Sequence, residues 1–298
     1  MRKYIVVLAA LALIVMGCEK DNIDNTLVVE DGVMRIEALH PSATRATETA
    51  FENGDVIGVY ATSYNGEVAS PLQISGNWIN NEALTFNGSS WEGRRTLYWC
   101  EQGVMDVYGY YPYMTPTSID KHRWSVQLDQ STPETADALS GYEASDFLWA
   151  KAEGVSQEDG NVQLQFKHMC TKMVIKLVKG EDFPDDFPAD TEVFLHSTVP
   201  SATIDFTTGY VSKDVYGERS KIKACKVSED TYELILIPQS ITDKMPFIEV
   251  AMGGISYLTE DMFSYRPSTQ YNVEITLNSS PQKIQIEIGI DGEIGGWD

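Results

Sequence analysis

Phe51-Glu52-Asn53-Gly54-Asp55-Val56-Ile57-Gly58-Val59-Tyr60-Ala61 is the stretch on which the reading of this chain turns. Asn-Gly is a strong short-range turn signal, because both residues tolerate the positive φ that tight hairpins require. The run Val56-Ile57-Gly58-Val59-Tyr60-Ala61 that follows is rich in β-branched and aromatic residues, which suit a pleated, half-buried surface. Upstream, Ser42-Ala43-Thr44-Arg45-Ala46-Thr47-Glu48-Thr49 is small, polar and carries one arginine, so it reads as an accessible, protease-sensitive arm. Before the arm, Met34-Arg35-Ile36-Glu37-Ala38-Leu39 alternates with apolar residues on one face and predicts a further strand.

The same grammar runs to the end of the chain. Short apolar segments, separated by Gly, Asn, Asp, Ser and Pro at intervals of roughly ten residues, have the spacing of sandwiches and barrels. Asp106-Val107-Tyr108-Gly109-Tyr110-Tyr111 is such a segment, halted by Pro112, which cannot donate to a central ladder. The polar, acidic, glycine-bounded stretch 153–160 reads as an internal linker. Beyond it the strand pattern restarts at Val162-Gln163-Leu164-Gln165-Phe166, and Met169, Thr171, Met173, Ile175 and Leu177 share one face. Residues 247–252, 255–258, 271–277 and 283–290 read as the last strands, and nowhere is there a long helical period. The fold class is all-β, with roughly eight strands in each half. The expected division is 1–17 signal peptide, 18–33 tether, 34–160 N-terminal β-sandwich domain and 161–298 C-terminal β-sandwich domain.

Arg2 and Lys3 precede an uninterrupted apolar run, Tyr4 to Met16, which is too short for a comfortable membrane span and fits a signal-peptide core. It ends in Val15-Met16-Gly17-Cys18, which has the form of a bacterial lipobox, so Cys18 is the expected lipid attachment residue and an outer-membrane lipid its partner. Several acyl chains on one cysteine give the stable anchorage that a single chain does not. The formal net charge of -22 repels phosphate backbones and excludes nucleic acid as a partner. Cys100, Cys170 and Cys225 remain after Cys18, an odd number that reads as small buried hydrophobes, not a disulfide framework.

No catalytic constellation stands out, and the expectation is that the protein is no enzyme and carries neither cofactor nor metal. The four histidines (His40, His122, His168, His196) form no zinc pattern, and His168 with Cys170 on one strand face makes only two ligands. Ser118 and Lys121 have SxxK spacing but lie in a proline-and-turn region. Acidic pairs near turns, such as Glu181-Asp182, read as solvated loop charges.

Several patches, in order along nearly the whole chain, closely resemble the fimbrillin (Mfa-like, type V pilin) family. They are Thr44-Arg45-Ala46-Thr47 with residues 51–60, Tyr108-Gly109-Tyr110-Tyr111-Pro112-Tyr113, Ser145-Asp146-Phe147-Leu148-Trp149-Ala150 and Phe166-Lys167-His168-Met169. Leu236-Ile237-Pro238-Gln239, Gln270-Tyr271-Asn272-Val273 and Ile294-Gly295-Gly296-Trp297 add to them. The resemblance implies two transthyretin-like β-sandwich domains in tandem and a fimbrial subunit or accessory adhesin, exported as an outer-membrane lipoprotein to the cell surface. It further implies a trypsin-like processing protease that cuts between Arg45 and Ala46. Met34, Ile36, Ala38 and Leu39 would then belong to the displaced strand, and a strand from another fimbrial subunit would fill the groove by β-augmentation. Ile284, Ile286, Ile288 and Ile290 are a candidate donor strand, although the same alternation suits an ordinary final strand. The alternative reading is a monomeric surface lipoprotein that binds glycans or other host or bacterial surface molecules.

Overall fold

The alternation in the sequence becomes strand throughout. The computed structural model describes residues 32–41, 50–101, 103–183, 186–281 and 285–293, the last stretch through its backbone. Among the described residues are twenty-one strands and two short 3-10 turns, Glu143–Ser145 and Gln157–Asp159, with no α-helix. Cys18, Arg45, Ala46 and Ile284 lie outside the described residues, as does nearly all of 1–33.

The largest sheet has seven strands. Its path is β10 (Lys167–His168), β8 (Leu148–Ser156), β6 (Val104–Tyr111), β2 (Val56–Asn65), β4 (Ile79–Phe86) and β5 (Trp91–Gly93), with β3 (Val68–Ala69) hung from β2. A two-stranded parallel sheet, β1 (Ile36–Leu39) and β9 (Val162–Gln165), completes the first core. The remaining strands form three sheets. Five strands follow the order β16 (Cys225–Lys226), β17 (Thr231–Leu236), β11 (Thr171–Lys179), β20 (Thr269–Leu277) and β21 (Gln285–Glu293). Four follow β15 (Ser220–Lys223), β12 (Glu192–Thr198), β18 (Gln239–Met252) and β19 (Ile255–Tyr265), and three follow β14 (Val211–Lys213), β13 (Ser201–Ile204) and β7 (His122–Ser125).

Two hydrophobic cores result, and they meet on the two faces of the seven-stranded sheet. Ile57, Val59 and Ala61 of β2, with Met105, Val107 and Tyr111 of β6, enter the first core beside Met34, Ile36, Leu164 and Phe166. Tyr60, Tyr108 and Tyr110, on the opposite face, enter the second core with Phe206, Ile175, Leu195 and Ile248. Burial on both faces is why β2 and β6 read as nearly continuous apolar runs. A Cβ at Gly109 would stand 2.8 Å from Leu164 Cδ1 and 2.9 Å from Phe166 Cζ, so only glycine lets β9 close onto β6.

The structure moves several expected boundaries. Residues 153–160 are not a linker: they finish β8, which stays paired with β6 to Ser156, and then form the Gln157–Asp159 turn. Asp159 accepts from Ser156 N at 2.7 Å and from Ser156 Oγ at 2.9 Å, so polar residues cap a turn there. Val162, Leu164 and Phe166, expected to open the C-terminal half, pack in the first core because β9 pairs with β1. Gly32 and Val33, expected in the tether, already bond to the fold, with Gly32 O accepting from Trp99 N and Val33 bridging Tyr98. β7 pairs antiparallel with β13, so a segment of the first half is a strand beside the second core. Residues 32–298 accordingly make one contact unit. Cys100 and Cys170 are buried and Cys225 half-buried, all three unbridged.

Candidate functional site

The site is the short strand β1 and the place where it ends. Alternation puts Met34 (3% exposed) and Ile36 (6%) into the first core, with Ala38 half-buried behind them, while Arg35, Glu37 and Leu39 face out. Leu39, 43% exposed, is thus on the outer face of the strand to which the sequence assigned it. Four residue pairs hold β1 to β9, from Ile36↔Val162 to Leu39↔Gln165. Glu37 adds side-chain hydrogen bonds from Asn161 and Gln163, which keep its carboxyl below the ordinary range. In a parallel pair, alternate residues turn their backbone to the partner, so Ile36 and Ala38 turn theirs to the other edge. Along that edge runs a cleft of about 720 Å³, lined by Leu84, Phe86, Trp91, Arg94, Arg95 and Leu97. β1 therefore closes one side of a hydrophobic core through few backbone bonds.

Both flanks of the arm 42–49 are fixed, and they are fixed together. Phe51, after the arm, sits among Trp91 (5.0 Å between ring centroids), Tyr111 (5.7 Å) and Phe166 (5.4 Å), in edge-on contacts that favour aromatic rings. His40, before the arm, meets Phe51 at 5.0 Å. The turn expected at Asn53-Gly54 is present: Gly54 has φ 108°, Asp55 N donates to Glu52 O, and Glu52 N donates to Asp55 Oδ2 at 2.7 Å. Asp55 Oδ1 accepts from Tyr111 Oη at 3.1 Å. Burial, the largest influence, pushes the Asp55 carboxyl up despite these bonds.

Toward the other end of β6 a fully paired polar group ties β2, β6 and β8. Asp106, 4% exposed, accepts from Tyr64 Oη (2.9 Å), Gly154 N (2.9 Å) and Lys151 Nζ (3.0 Å). Burial alone would raise its pKa, but the bonds from Gly154, Lys151 and Tyr64 outweigh it and hold the carboxyl below the usual range. Lys151 is held protonated, since its bonds to Glu153 and Asp106 overcome the opposite pull of desolvation. An ionised pair of this kind is a tie between strands.

β21, which carries Ile286, Ile288 and Ile290, pairs antiparallel with β20 as the outer strand of the five-stranded sheet. One cluster escapes the sequence. Asp146 and His168 stand in two of the patches quoted above, yet nothing in their spacing foretells that His168 Nδ1 bonds Asp146 Oδ2 at 2.8 Å, with His40 alongside.

Comparison with known proteins fits this architecture. A family model described as fimbrillin-like matches residues 44–297. A Bacteroides uniformis protein described as "Putative fimbrium subunit Fim1C" is 29% identical over 216 residues, covering 70% of this chain and 67% of that protein. A Bacteroides ovatus protein described as "Putative fimbrium tip subunit Fim1C" is 28% identical over 199 residues. That match takes in 59% of this chain and 36% of the relative, so the chain spans little more than a third of its length. Two crystal structures described as putative cell adhesion proteins share the fold. The one from B. uniformis has a TM-score of 0.68 at 21% identity, over 88% of this chain and 98% of that one. The one from B. ovatus has 0.67 at 21%, over 89% and 98%.

Proposed function

Because this chain belongs to the fimbrillin-like family, we propose that it is a cell-surface fimbrial subunit or accessory adhesin that assembles by strand exchange. The observation that carries the reading is β1. It seals the first core with Met34 and Ile36, is held by a four-residue ladder, and leads directly into the arm that contains Arg45. A cut between Arg45 and Ala46 by a trypsin-like protease would leave β1 attached by non-covalent contacts alone. Its departure would expose a groove whose apolar wall and unpaired β9 backbone a strand from another subunit can satisfy. The donor is the C-terminal segment with Ile284, Ile286, Ile288 and Ile290; its described part, β21, lies at the rim of its sheet with only β20 to break from among the described residues. In this reading residues 1–17 direct export, and Cys18 carries the lipid that holds the precursor in the outer membrane. The two sandwiches of this reading are transthyretin-like.

The test is cleavage of the purified mature chain with an arginine-specific protease, followed by light scattering and electron microscopy. The expected result is a new N-terminus at Ala46 and ladders or filaments, both absent from Arg45→Ala. An N-terminus that stays intact under native conditions overturns the processing step. A cut chain that stays monomeric favours a monomeric receptor for glycans or other surface molecules. That second reading draws on Trp78 and Tyr98, both about half-exposed and joined by Trp78 Nε1 donating to Tyr98 O at 2.7 Å.

A further inference from the structure

Strand β1 ends at a histidine that is packed instead of solvated. The His40 ring stands edge-on to Phe51 and, at 5.8 Å between centroids, to His168. Its Nδ1–H donates to the Pro41 carbonyl at 3.0 Å, so an incoming proton goes to Nε2. His168 is 1% exposed and bound to Asp146 Oδ2, while Asp146 Oδ1 is buried without a hydrogen-bond partner. Several elements face His40 around a cavity of about 50 Å³, Leu148 of β8 among them. Phe51, Glu52 and Asp55 come from the turn before β2, Tyr111 from β6, Tyr142, Glu143 and Asp146 from the 3-10 segment, and His168 from β10.

We propose that His40 is a pH-sensitive latch on β1: neutral, it fastens the end of the strand against His168 and Phe51, and protonated, it leaves that seat and lets the strand open. The inference rests on the reading of β1 as the strand that departs. A cation at His40 would have to be desolvated beside another histidine and against the Phe51 ring, whereas in water it is hydrated at no such cost. Burial and then the neighbouring His168 hold His40 below its ordinary value of 6.5. The sign follows from linkage. A histidine depressed in the docked state supports docking fully above about pH 6.5, and that support is lost as pH falls through the lowered value. The carboxyl groups of Asp146, Glu143, Asp55 and Glu52 temper the loss. Asp55, raised chiefly by burial, works the other way, because its protonation favours the closed seat.

The experiment is hydrogen exchange of the intact chain at about pH 7.5 and about pH 5.5, on either side of the histidine window, with amide rates corrected for intrinsic pH dependence. Residues 36–39 are expected to lose protection several-fold more than β2 and β6 at the lower pH. His40→Gln, which cannot titrate, is expected to remove most of that difference. An equal difference in His40→Gln, or none in the parent chain, overturns the latch. Should the variant fold poorly, an NMR titration of the parent decides: His40 titrating below its ordinary value supports the latch, and titration at or above it refutes it. The fimbrial reading stands or falls separately. A pH-dependent β1 in a chain that never assembles keeps the latch, while assembly with a pH-independent β1 removes the latch alone.

Discussion

Two substitutions on one strand separate the role of β1 from mere β propensity. Ile36→Ala removes three carbons from a side chain that is 6% exposed, among the residues of the first core. At about 0.8 kcal/mol per buried carbon the transfer loss is about 2.4 kcal/mol. The cavity left against the sheet raises the total to about 3 kcal/mol. Leu39→Ala removes the same number of carbons three residues on, but Leu39 is 43% exposed and faces out, so no closed cavity forms. Little more than half of its transfer term applies, about 1 kcal/mol. Urea unfolding, followed by far-ultraviolet circular dichroism, should therefore place the two variants about 2 kcal/mol apart. Native-state hydrogen exchange should show residues 36–39 exchanging faster in Ile36→Ala than in Leu39→Ala, because β1 opens more often. Equal costs, or a larger cost at Leu39, would refute both the register of β1 and its place as the closing strand.

Asp106→Asn should destabilise the fold by about 2–4 kcal/mol, read from the urea midpoint, because Lys151 loses its buried counter-charge while remaining partly solvated. The carboxyl of Asp106 is depressed, so its contribution is complete above its unfolded pKa near 3.9 and lost as pH falls through the lowered folded value; acid titration of Asp106→Asn should lack that component. Gly109→Ala should cost about 1–3 kcal/mol and loosen β9, seen as faster exchange at 162–165, since a methyl group there overlaps Leu164 and Phe166. Phe51→Ala should cost about 3–5 kcal/mol and speed the opening of β1, because it empties a cage shared by His40, Trp91, Tyr111 and Phe166.

Most of the strands were legible because burial of one face imposes a period of two. β20 and the inward set Thr171, Met173, Ile175 and Leu177 of β11 follow that rule closely. Where backbone pairing runs on without apolar residues, the sequence under-reads it. The hairpin of β18 and β19 reaches back to Gln239 and on to Tyr265, through exposed residues such as Asp243 and Lys244 that looked like loop. The same holds for 153–156, where Glu153 and Gly154 mimic a linker although Val155 and Ser156 stay paired with β6. Strand β1 could be read from its local alternation. The His40–His168–Asp146 cluster could not, because three segments distant in the chain make it and no spacing within any of them foretells the contact.

The seven-stranded sheet shared by the two cores matters for how the molecule carries load. The chain passes from the first core to the second after Tyr111, returns at Leu148, and leaves again after Phe166. Three passages of the chain, and the seven-stranded sheet whose two faces the cores share, therefore join them where a single hinge would otherwise serve. Tension applied across a surface appendage would be divided among those routes. Because β2 and β6 place side chains in both cores, the cores should stay in register under flow that would swing a hinged pair apart.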